Sequence, residues 1–261
     1  MPKLLLLYGS YFKVNIKKLV EYKGDFIFNL ISVLVWVSIG LINIGIIFDK
    51  LQSLKGWSLP EISLLYGMWS LTFAMYNAFG NGILDIENHI VTGSMDVLLT
   101  KPISPLFQIV CSRINTMGVG FLVFGVVVMI ISAYNINYTW NVLKILYLIV
   151  TSITGGLLIF ATYLILGSLA FWLLHSTSAI RIGYDIHKFA QYPLSIYGDG
   201  IKIILVTIFP YAFTNYYPIA FLLGKVPVFY GILSPIFCII IFILSLRIWR
   251  LGLKRYEGTG S

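Results

Sequence analysis

Lysine, arginine, aspartate, glutamate and histidine are missing from six long apolar stretches of this chain, at 26–48, 62–84, 115–133, 145–174, 203–223 and 226–246. A helix rises about 1.5 Å per residue and needs about 20 apolar residues to cross the hydrocarbon core of a bilayer. Charged residues make up only 11% of the chain, against 59% hydrophobic, and mean hydropathy is +0.91. A soluble domain carries about 25% charged residues, so a soluble globular class is excluded. The same scarcity argues against ion-driven transport, which places carboxylates or histidines at mid-membrane.

Other absences narrow the chemistry. There is no G-x-x-x-x-G-K-[ST] element, because Gly224-Lys225-Val226 lacks both the upstream glycine and the following hydroxyl. ATP is therefore not expected to bind this chain in the usual phosphate-cradling way. The two cysteines make neither a metal pattern nor a plausible disulfide, with Cys111 in an inner connection and Cys238 inside the sixth stretch. The apolar run at 4–7 is too short for a signal-peptide core, so the first long stretch is expected to serve as an uncleaved insertion signal. His89 near Asp85 and His187 near Asp185 are weak acid–base pairs, and Tyr8, Tyr11 and Arg113 form no recognisable site. A lipid-acting enzyme would need a nucleophile, a His–carboxylate pair or a metal site at the interface, and no convincing one stands out.

What is present gives topology. With the N-terminus inside, Lys3, Lys13, Lys17, Lys18, Lys23, Lys101, Arg113, Arg181, Lys188, Lys202, Arg247, Arg250, Lys254 and Arg255 fall on inner segments. Only Lys50, Lys55, Lys144 and Lys225 fall outside. This bias places both termini in the cytoplasm and explains the net charge of +8 without nucleic acid. Tyr22, Trp57, Trp140, Tyr147 and Trp249 sit at stretch edges, where amphipathic rings favour the headgroup zone.

The expected fold is a single all-α integral membrane domain over 1–261, with six transmembrane helices. Residues 3–21 are expected to form an interfacial helix, with Leu5, Tyr8, Phe12, Ile16 and Leu19 on one face and Lys3, Ser10, Lys13, Lys17 and Glu21 opposite. A packing helix on the soluble side is the alternative. The fourth stretch is over-long and must tilt, kink near Gly155-Gly156 or project. Residues 175–191 read as a cytoplasmic connection, helical until Pro193. Pro210, Pro218 and Pro227 suggest that the fifth span ends near Phe213, leaving 214–225 as a short re-entrant segment on the outer side.

The longest inner connection, 85–105, combines a turn glycine (Gly93), a good N-cap (Ser94), an acid in the first helical turn (Asp96) and a stop (Pro102). A short rigid helix beneath the membrane suits docking to a partner, and equally suits packing on its own protein. Gly93-Ser94-Met95-Asp96-Val97-Leu98-Leu99 followed by Lys101-Pro102-Ile103 resembles the Gly-x-Leu/Met-acidic-x-Leu-Leu-x-(Lys/Arg)-Pro element of ABC (ATP-binding cassette) type-2 permeases. Trp249-x4-Lys254-Arg255-Tyr256-Glu257-Gly258-x-Gly260 and Pro210-x4-Asn215-Tyr216-Tyr217-Pro218 are similar to one branch of that family.

The resemblance implies the transmembrane subunit of a multidrug-like or antibiotic-resistance-like exporter, itself without enzymatic activity. Glu87, Gly93, Ser94, Met95, Asp96, Lys101 and Pro102 match the family's ATPase-coupling element. ATP and Mg would be bound by two nucleotide-binding subunits, and a second permease copy or a paralogous permease would complete the assembly. In such proteins spans one, two and five line the pathway. Trp69, Thr72, Phe73, Tyr76 and Asn77 share one face of the second span, and Tyr211, Thr214, Asn215 and Tyr216 cluster in the fifth. They are candidates for the pathway wall, or for helix–helix packing through Asn and Thr. A passive channel and a non-transporting sensor of the same architecture are the rival readings.

Overall fold

The structure is a computed structural model that describes residues 23–112, 115–136 and 138–258. The expected interfacial helix at 3–21, Arg113 and Gly260 lie outside the described residues. Among the described residues the fold is helical, with one isolated bridge between Leu54 and Trp57.

Helix α1 spans Lys23–Lys50 and α2 spans Leu59–Phe79. After a 3-10 turn at Asn81–Asp85 come the short helices α3 (Ile86–Val91), α4 (Ser94–Leu99) and α5 (Pro105–Ser112). Then follow α6 (Met117–Asn135), α7 (Val142–Ser168), α8 (Ala170–Leu173) and α9 (Thr177–Phe189). The chain continues through α10 (Asp199–Ile203), a π turn (Ile204–Ile208), a 3-10 turn (Tyr211–Phe213), α11 (Tyr216–Leu222) and α12 (Val228–Arg255).

Four helical segments are long and apolar enough to cross a membrane: α1, α6, Val142–Leu173 and α12. A fifth span results if the pair Asp199–Ile208 and Tyr211–Leu222, bent by 77°, is counted as one. Helix α2 falls short on hydropathy for a physical reason. It is the central helix, packed on α1, α6 and α7, so it needs little lipid-compatible surface and can carry polar groups satisfied by neighbours. The Tyr66 hydroxyl donates to the Val37 carbonyl at 3.0 Å and the Ser70 hydroxyl to the Phe121 carbonyl at 2.8 Å. The peripheral helices instead show large apolar side chains outward, such as Phe28, Ile31 and Ile42 on α1 and Ile232, Ile236 and Ile240 on α12.

Close backbone approach sets the α2–α6 and α2–α7 crossings. A Cβ on Gly67 would stand 3.1 Å from the Gly125 carbonyl oxygen, and one on Gly125 would stand 2.9 Å from that of Gly67. Of the tilt, kink or projection open to the over-long fourth stretch, no helix break falls at Gly155-Gly156, and α7 runs through both residues. These glycines face α2, where a Cβ would stand 2.7 Å from Thr72 Cγ2 and 2.5 Å from Met75 Cβ respectively. The break falls later, at Leu169.

The connections gather at two opposite ends. At one, Lys225 pairs with Glu61 at 3.0 Å, Trp57 meets Tyr216 at 5.9 Å, and the Tyr138 hydroxyl donates to the Leu222 carbonyl. At the other lie α3–α5, the start of α9 and the end of α12. The fifth-span break falls at Phe209–Pro210 rather than near Phe213, with an independent turn at Gly224 (φ 70°).

Helix α9 supplies the helix expected before Pro193 in 175–191, ends at Phe189 and packs against the bundle. Its start, Thr177, lies beside Glu87 at the Gly93 end, but His187 stacks on Trp69, the middle residue of α2, at 5.5 Å. The segment therefore runs along the bundle from the Gly93 end toward the middle of α2. Its buried face is Ile180, Gly183 and His187, while Arg181, Tyr184, Asp185 and Lys188 share the exposed one.

Candidate functional site

The Gly93 end of the bundle carries a helix–turn–helix. Gly93 adopts φ 71°, a left-handed conformation that strains residues bearing a Cβ, and it turns the chain from α3 into α4. The Ser94 hydroxyl lies 2.8 Å from His89 Nδ1 and 2.9 Å from Thr92 Oγ1, tying the two arms together. Met95 is fully buried and pins α4 to the bundle. Gln108, not singled out in the sequence, closes the far side by donating to the Leu98 and Ile103 carbonyls, each at 2.9 Å. Lys101 and Pro102 are exposed just beyond α4. So are Val91, Val97 and Leu99, which give this end an apolar outer face.

Two sequence elements separated by over a hundred residues meet here. A Cβ on Gly258 would stand 3.1 Å from Asp96 Oδ1, so the C-terminal segment runs against the acidic residue of α4. Trp249 and Tyr256, from the same segment, pack edge-on against Phe171 at 5.3 and 6.3 Å.

Glu87 faces the other way, into the start of α9. Its carboxylate accepts from the Ser176 and Thr177 amides at 2.6 and 2.5 Å, and from the Thr177 hydroxyl at 2.6 Å. His175 Nδ1 lies at 3.2 Å. A carboxylate at a helix N-terminus satisfies otherwise unbonded amides and meets the positive end of the helix dipole. The Thr177 hydroxyl bond, with the two amides and His175, holds the Glu87 carboxyl down at about 2.

The pathway candidates divide. Trp69, Thr72, Phe73, Tyr76 and Asn77 are all buried. Phe73, Tyr76 and Asn77 line a cleft of about 660 Å³ between α1, α2, α6, α7 and α9. Trp69 instead stacks on His187 and donates to its carbonyl at 3.3 Å, and Thr72 donates to the Trp69 carbonyl at 2.9 Å. Tyr211, Thr214 and Asn215 are fully buried and brace α9. The Tyr211 hydroxyl donates to the Gly183 carbonyl at 3.2 Å, Thr214 to Asn215 Oδ1 at 3.0 Å, and Asn215 Nδ2 to the Ala190 carbonyl at 2.6 Å. Tyr216 packs on Trp57. These are packing contacts within one chain.

His187 and Asp185 do not form a pair. The histidine is buried against Trp69 and Phe73, whereas the carboxylate lies on the exposed face and bonds Lys188 at 2.7 Å. Trp36 and Arg181 also line the cleft and were not among the candidates. The spacing of Arg181, Tyr184, Asp185 and Lys188 was an amphipathic signal, but charge made it read as a soluble face.

The fold is an all-helical membrane bundle with apolar outer faces, a buried polar central helix and a braced helix–turn–helix across one end. A model of the ABC-2 family, described as ABC-2 family transporter protein, matches residues 34–260, and the chain belongs to that family. Such permeases are membrane transport components, not themselves catalytic, that work with ATP-binding subunits. No curated protein and no solved structure matches the chain.

Proposed function

We propose that this chain is the permease subunit of an exporter in the cytoplasmic membrane. It moves a hydrophobic or amphipathic substrate with energy from ATP hydrolysed, with Mg, by two separate nucleotide-binding subunits. It pairs with a second copy or a paralogous permease. In this reading the chain crosses the membrane six times, with α2 as the second span, and both termini and the Gly93 end are cytoplasmic.

The observation that carries the proposal is the braced helix–turn–helix at 86–99. Its inner side is anchored by Met95, Gln108 and Glu87, while Val91, Val97, Leu99 and Lys101 face outward. Movement of a docked ATPase would reach α9 directly through Glu87, and the segment that follows α12 through Asp96.

Purification of the tagged chain from its native membrane should bring down a stoichiometric partner of nucleotide-binding size. In vesicles holding both, Asp96→Arg or Gly93→Pro should uncouple ATP hydrolysis from export while insertion is unchanged. ATP-independent flux would sink the exporter reading in favour of a facilitator. A copurified ATPase without any flux would favour a sensor.

A further inference from the structure

Two clefts lie along the exposed face of α9. The one nearer the Gly93 end has a volume of about 660 Å³. The other, about 760 Å³, follows the opposite half of α1 as far as Leu54 and faces Asp185 and Lys188. Trp36, at the middle of α1, lines both and lies 6.1 Å from Trp69, so the two clefts abut at one aromatic level.

The first chamber has an asymmetric chemistry. Val33, Trp36, Phe73 and Phe121 make most of its wall apolar. Among the described residues, its only Lys, Arg, Asp, Glu or His is Arg181. Arg181 is exposed and makes no hydrogen bond or ion pair with any described residue. The nearest acid along α9, Asp185, is hydrogen-bonded to Lys188 and meets Arg181 only through its longer-range field, which leaves the guanidinium's donors free. Tyr76 and Tyr163 belong to the same wall, with ring centroids 4.8 Å apart, and both hydroxyls are buried without a hydrogen-bond partner.

A guanidinium facing a cleft with an apolar wall can pair with an anionic head, and cations lining such cavities commonly mark a substrate route. Its planar donor fork suits carboxylate or phosphate oxygens better than any other group. We propose that this chamber binds an amphipathic organic anion, with Arg181 meeting the charged head and Val33, Trp36, Phe73 and Phe121 enclosing the apolar body. This narrows the substrate class and rests on the transport reading above. Neutral hydrophobes and cationic amphiphiles are the classes it disfavours.

The test uses the full chain in nanodiscs of zwitterionic lipid, titrated with three probes that share an octyl chain: octyl phosphate, octyl glucoside and octyltrimethylammonium. Tryptophan fluorescence, read against a Trp36→Phe control because Trp36 is the tryptophan that lines the chamber, reports occupancy. Octyl phosphate should bind saturably and about tenfold tighter than octyl glucoside, the discrimination expected of one charge-assisted contact. Arg181→Gln should abolish that difference while leaving octyl glucoside binding unchanged, and Arg181→Lys should keep most of it. Equal affinity for the three probes, or discrimination surviving in Arg181→Gln, would overturn the proposal. So would displacement of octyl phosphate by inorganic phosphate at comparable concentration, which would mark a bare anion site. The titration needs no ATPase, so failure to find a nucleotide-binding partner would defeat the transport reading without altering these affinities.

Discussion

Glu87 and Thr177 are ninety residues apart in sequence, and the carboxylate of the first takes both the amide and the hydroxyl of the second, at 2.5 and 2.6 Å. The acid sits in α3, at the end that would meet an ATPase, and the threonine opens α9, whose far end stacks on the centre of α2. One side chain thus joins the proposed coupling element to a helix that walls the cleft.

Glu87→Ala should remove the cap from α9 and cost about 0.5–2 kcal/mol of stability. Thermal unfolding of the purified chain in detergent checks the loss, and flux in reconstituted vesicles should fall by more than ATP hydrolysis does. A variant that unfolds like wild type and transports normally would rule out the latch.

The same bond predicts a pH dependence. The carboxyl lies at about 2 in the folded chain against its ordinary 4.5. Because the folded value is the lower one, the stabilisation is fully present above 4.5 and is lost as pH falls from there toward 2. The stability gap between wild type and Glu87→Gln should therefore narrow across that acid window and stay constant above it. A gap that instead shrinks on the alkaline side would contradict the assignment.

Asn215→Ala leaves the Ala190 carbonyl buried without its 2.6 Å donor. An unsatisfied buried group costs about 1–3 kcal/mol, and faster amide hydrogen exchange should appear at the end of α9 before the rest of the bundle. Uniform exchange across the molecule would argue that Asn215 does not brace this helix.

Gly156→Val tests the α2–α7 crossing, because the added Cβ would stand 2.5 Å from Met75 Cβ and 3.2 Å from the Thr72 carbonyl oxygen. Overpacking of this kind costs about 1–3 kcal/mol. Valine at Gly45, where a Cβ meets nothing within 4 Å, is the control and should leave the unfolding midpoint unchanged.

The two tyrosines and the asparagine of the fifth stretch show how far sequence reasoning reached the site. Tyr211, Asn215 and Tyr216 were legible as a cluster, because proline breaks and polar side chains stand out in an apolar run. Which way they face was not legible, since that depends on where α9 lies, and α9 read as a soluble helix from its charges alone. Arg181 and Trp36 were missed for the same reason: each becomes part of a chamber only when α1, α2 and α9 are brought together.

Local chemistry determined a membrane-embedded helical chain, the turn at Gly93 and the absence of a phosphate loop of the usual kind. These follow from side-chain transfer energies and backbone sterics that act over a few residues. Only the tertiary structure decided that the least apolar long helix, α2, is the central one, that Gly155-Gly156 serve packing rather than bending, and that a charged segment runs along the bundle. Those outcomes depend on which surfaces face protein and which face outward, and no residue carries that information without its neighbours.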